Sequence, residues 1–159
     1  MITTPMPLLA ALFLATPAMA QDATPTNALL VGLDACFTGA GDTTATVTTL
    51  KKQGWVQSDA EQGFIYMTGP DDVTIVTMDA YGYVCQTQSV DFGTDTATKV
   101  LASLLQANDI TAIETTKTTD GCTHLGLPDG TYISITSAGK DPTCGSDTTS
   151  AIRFDFFSE

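Results

Sequence analysis

The chain has 159 residues, 6 Lys and Arg against 18 Asp and Glu, and a formal net charge of −12. That length suits one domain, and 43% hydrophobic against only 15% charged residues is too apolar for an acidic disordered tail. With a pI near 4.1 and no basic run, an electrostatic grip on nucleic acid or anionic lipid is excluded, because either needs a positive patch.

Residues 8–15 form an apolar run, and Thr16-Pro17-Ala18-Met19-Ala20 follows with small residues spaced as an A-x-A cleavage site. The run is far shorter than the roughly 20 residues a membrane span needs. Residues 1–20 are therefore expected to be a secretory signal peptide, although the segment before the run carries no Lys or Arg. Residues 21–159 are then a single small domain, periplasmic or secreted, with no membrane anchor.

Within that domain, Thr24-Pro25 offers a helix cap with Pro at the first helical position. Leu29, Leu30, Leu33, Cys36 and Phe37 recur at helical spacing, and Gly39 or Gly41 ends the run. Asp42 caps a second helix over 43–53, with Val47 and Leu50 inward, Lys51 and Lys52 in the last turn and Gly54 as terminator. Its many threonines give it weak intrinsic propensity, so packing around Trp55 has to hold it.

From Gly63 the period changes to that of strands. Runs over 64–68 and 73–78, joined by Gly69-Pro70-Asp71-Asp72, continue through Asp79-Ala80-Tyr81-Gly82 into 83–88 as an antiparallel meander. Thr94 or Asp95 caps a strongly amphipathic helix whose stripe is Ala97, Val100, Leu101, Leu104 and Leu105, ended by Asn108. A strand is expected over 110–115, a hairpin over 122–127 and 131–137 around Pro128-Asp129-Gly130, and a last strand over 152–157. There Ile152, Phe154 and Phe156 alternate with Arg153, Asp155 and Phe157. The fold class is α+β, with antiparallel sheet covered on one face by two or three helices. Residues 43–88 and 95–157 share an order of helix, connection and three strands, so an αβββ duplication too diverged to show in the residues themselves is weighed against a generic α+β order.

An exported chain with an even count of four cysteines suggests two disulfides. Cys36 lies on a helix face that the strand of Cys85 can meet, and Cys144 lies in a loop that returns towards Cys122. The expected pairs are Cys36 with Cys85 and Cys122 with Cys144. No C-x-x-C is present, so zinc is not expected, nor is any cofactor.

His124 is the only histidine, and its neighbourhood contains no G-x-S-x-G or H-E-x-x-H. Asp71-Asp72, Asp91, Asp95, Asp141 and Asp147 lack EF-hand spacing, and turn or capping roles account for them. The candidates for recognition are aromatic. They are Trp55, Phe64, Tyr66, Tyr81 and Tyr83, with Tyr81 and Tyr83 at a turn and strand start, while Trp55 and Phe64 are weighed more heavily as core-filling rings. These features point to a small exported binding, inhibitory or accessory module whose partner is another protein or a small ligand. The alternatives are a compact hydrolase built on carboxylates and His124, and a small outer-membrane β-barrel, whose strands of about 9 to 11 residues exceed those found here.

Overall fold

The computed structural model describes residues 25–58, 61–69, 74–112, 114–117, 121–139 and 143–156. The expected signal peptide, the Thr24 cap, Pro70, Asp71, Asp72, Val73, Asp141 and Phe157 lie outside them.

Helix α1 (Pro25–Gly39) buries Ala28, Leu29, Leu33, Ala35 and Cys36. Leu30, expected on the same stripe, is 37% exposed, because one residue along an α-helix turns the side chain by about 100°. Helix α2 (Thr43–Lys52) is capped as expected: the Asp42 carboxylate accepts from the Ala45 N–H at 2.9 Å. Leu50 is buried and Val47 packs half-buried against the core, as expected, and Thr46 is buried beside them. The Thr46 hydroxyl can be buried because it donates to Asp42 O at 3.0 Å and lies within reach of Ala35 O.

The first meander follows as β1 (Val56–Gln57), β2 (Phe64–Thr68), β3 (Thr74–Asp79) and β4 (Val84–Ser89). Helix α3 (Thr94–Ala107) buries all five residues of its predicted stripe and ends at Asn108. Its start differs from expectation, since Gly93 is the cap and has no side chain to bond with. The loop over 143–149 supplies what is missing: Ser146 O accepts from the Thr94 N–H at 2.9 Å. The second meander is β5 (Glu114–Lys117), β6 (Thr123–Gly126), β7 (Tyr132–Thr136) and β8 (Ser150–Asp155).

All eight strands form one antiparallel sheet in the order β1-β2-β3-β4-β8-β7-β6-β5. Read from either edge inward, each half runs from its first strand to its fourth, and β4 and β8 join the halves from Val84↔Asp155 to Ser89↔Ser150. The expected αβββ order is thus lengthened by one short outer strand in each half. The sheet is open, with β1 and β5 as its edges, so these strands do not make the closed ring that a spanning barrel needs. Among the described residues no helix is long and apolar enough to cross a membrane.

Cross-strand partners in an antiparallel sheet share a face. One face therefore carries Met67, Val76, Met78, Cys85, Ile152, Phe154, Ile133 and Ile135, all buried. Helix α1 packs there on β3, β4 and β8, and α3 packs on β7 and β8, while α2 rests on α1. The Cys36–Cys85 disulfide, with Cα atoms 5.5 Å apart, ties α1 to that face, and Cys122–Cys144 ties the start of β6 to the 143–149 loop. Loop separations of 49 and 22 residues correspond on the chain-entropy model to stabilisation of about 4 and about 3 kcal/mol.

Candidate functional site

Of the aromatic residues expected to recognise a partner, Phe64 and Tyr66 come together, with ring centroids 6.5 Å apart, whereas Trp55, Tyr81 and Tyr83 do not converge with them. Trp55 is only 4% exposed and packs its ring against Gly69, so it serves the core. Tyr81 and Tyr83 are 81% and 49% exposed in the β3–β4 turn, at the opposite end of the β2–β3 pair. That turn is rigid. The Asp79 carboxylate accepts from the N–H groups of Tyr81 at 2.8 Å and Tyr83 at 3.3 Å, and Gly82 sits so close to the Gly41 carbonyl that a Cβ has no room.

The face of the sheet away from the helices holds a more concentrated set of groups. Successive cross-strand partners place Tyr66, Thr77, Gln86, Arg153, Ser134, His124 and Thr116 in one row across seven of the eight strands. From the central pair, Gln86 and Arg153, the row runs outward in both directions through a hydroxyl (Thr77, Ser134) to a ring (Tyr66, His124). Chain alternation fixes this arrangement, because each of these residues from β2, β3, β4, β6, β7 and β8 stands next to one turned towards the helix side.

Arg153 is held by Asp155 two residues on in the same strand. Nε donates to both carboxylate oxygens, at 2.8 and 3.0 Å, and Nη2 donates to Oδ1 at 2.6 Å. The fork cancels the guanidinium charge and leaves Nη1 for another acceptor. Gln86 is 9% exposed, and its amide makes no hydrogen bond with any described residue. The polar end of the side chain therefore stays open at the cleft, where it offers donors and an acceptor.

Both groups line an open cleft of about 320 Å³ whose opposite wall is Phe64 and Tyr66, with Thr77 between and Gly139 at the rim. The two rings on β2 are 6.5 Å apart and tilted by 43°. At the far end of the row the His124 ring stacks on Tyr132 at 5.0 Å, and its Nδ1 is buried without a partner. Burial pushes the Tyr132 phenol above its ordinary pKa; Glu114 and Asp155 act in the same direction, and a hydrogen bond with Thr116 opposes them.

All four cysteines are oxidised, so none is a thiolate nucleophile. His124 forms no hydrogen bond with a described serine or carboxylate, which a base-activated nucleophile requires. Among the described residues no group of three or more His, Cys, Asp or Glu side chains converges. A second depression, about 590 Å³, lies on the helix side where α3 leaves part of β5 and β6 uncovered, and Leu105, Ile110, Leu125 and Ile135 make it apolar.

Sequence reasoning overlooked Gln86 and Arg153, yet a signal was present. Arg153 is the sole arginine of the chain, and the alternation of the last strand already set it beside Asp155 on the polar side. No family model matches the chain, and no curated protein or solved structure matches it either.

Proposed function

We propose that the protein is an exported binding module with no catalytic step, and that its ligand seats on the open face of the sheet. The observation that carries this is the cleft that sets the open Gln86 amide and the Arg153–Asp155 fork across from an aromatic wall. Two disulfides fit an oxidising compartment, and the A-x-A pattern ending at Ala20 fits export. The site lies on internal strands whose backbone groups are used by the ladders, so recognition there falls to side chains held on a rigid frame. Partners are then another protein or a small molecule of the periplasm.

Affinity capture with the oxidised protein, run in parallel with a Gln86→Leu, Arg153→Ala bait of equal stability, tests this. A ligand held by the first and lost by the second is the expected result. Equal capture by both baits, or a hydrolytic activity that vanishes in His124→Ala, overturns it. Mass spectrometry of the protein from its native host checks the export half: Gln21 as first residue and no free thiol are expected.

A further inference from the structure

We propose that the Gln86–Arg153 cleft takes one ring of a neutral carbohydrate. This deepens the binding-module reading and rests on it.

The chemistry of the walls selects the ligand class. Phe64 and Tyr66 offer aromatic faces, which favour the C–H side of a sugar ring as they favour any flat apolar surface. Opposite them stand the Gln86 amide, with donors and an acceptor, Nη1 of Arg153, with donors only, and the Thr77 hydroxyl, which does both. A ligand that is apolar on one side and rich in hydroxyls on the other satisfies both walls.

Competing classes each leave something unsatisfied. A purely apolar ligand takes water from the open Gln86 amide and returns no hydrogen bond. An anion finds Arg153 already neutralised by Asp155, on a molecule of net charge −12. A bare cation meets a guanidinium. An extended peptide normally gains affinity by adding to a sheet edge, and β2, β3, β4 and β8 are all internal strands. At about 320 Å³ the cleft lies at the small end of ligand sites, which suits one ring rather than a long chain.

The test is a titration of the isotopically labelled protein, recovered oxidised from the periplasm of expressing cells. Maltotriose, cellotriose and chitotriose are the neutral probes, with glucuronate and inorganic phosphate as anionic counterparts. The expected result is saturable movement of the amide signals of Tyr66, Thr77, Gln86, Gly139 and Arg153 with at least one trisaccharide. Binding should weaken by about tenfold or more in Gln86→Leu and Tyr66→Ala. Thr77→Val, a near-isosteric change, should weaken it too and guards against a variant that fails to fold, while Ser103→Ala on α3 should bind as the wild type does.

No movement with any trisaccharide at about 10 mM, where even a millimolar site fills, overturns the proposal. Movement confined to other residues, or caused only by glucuronate or phosphate, also overturns it. If the trisaccharides fail while capture still depends on Gln86 and Arg153, the ligand class falls and the binding module stands. If both fail, both fall.

Discussion

Gln86 and Arg153 are cross-strand partners on β4 and β8, the two strands that join the halves of the sheet. Arg153 is oriented there by Asp155, and both side chains are partly open to solvent, at 18% and 23% exposure. Asp155→Asn should therefore lower stability by no more than about 1 kcal/mol, with a loss that shrinks as salt is added. Urea unfolding at low and high ionic strength measures it. The same change unmasks the guanidinium, so inorganic phosphate should bind the variant more tightly than the wild type.

The disulfide between Cys122 and Cys144 should matter to stability and to the start of α3 together. Replacing both cysteines with Ser is expected to cost about 3 kcal/mol by the loop-entropy estimate. Because Ser146 O accepts from the Thr94 N–H, loosening the 143–149 loop should also raise hydrogen exchange in the first turn of α3. Exchange unchanged at Thr94 while stability falls would show that the loop holds its place without the bond.

Tyr132 gives the fold an alkaline weakness. Burial raises its phenol pKa above the ordinary 10.0, so the folded chain keeps the proton longer than the unfolded chain does. No pH dependence follows below the unfolded pKa, where both states are neutral. Above it the unfolded state alone is deprotonated, and stability falls as pH rises towards the folded pKa. Tyr132→Phe should remove this part of the alkaline decline, so the variant should lose less stability than the wild type on going from neutral pH to above pH 10. Chemical denaturation at the two pH values reads it.

Gly82 has φ +80 and no space beside the Gly41 carbonyl. Gly82→Ala is expected to cost on the order of 2 kcal/mol, from the left-handed backbone and the forced separation of the two turns. Calorimetry gives the size. Changed amide signals at Tyr81 and Tyr83 would locate the damage in their turn.

The sequence discloses elements more readily than it discloses the site. The α3 stripe was legible because five large or small apolar residues at helical spacing leave one way to bury them. The cysteine pairs were legible for a related reason: the helix face of Cys36 and the strand of Cys85 have to meet if the core is to close. The edge strands were harder. β1 has only two residues, and β5 is exposed along its whole length, so neither shows the alternation that burial imposes. Trp55 was ambiguous because an aromatic ring looks the same in a sequence whether it fills a core or meets a ligand. The Gln86–Arg153 cleft was invisible for a different reason. Its walls come from β2, β3, β4 and β8, and only the pairing of β4 with β8, a contact between residues far apart in the chain, brings them side by side.

The order ring, hydroxyl, polar group occurs twice, once on each side of the sheet's midline. A molecule long enough to lie across the whole row would meet nearly the same succession of contacts whichever end it presented first. What little sense of direction such a surface has comes from its mismatches: amide against guanidinium at the middle, phenol against imidazole at the ends. Exchanging those few side chains in mirrored pairs would reverse the succession of groups along the row over the same strands.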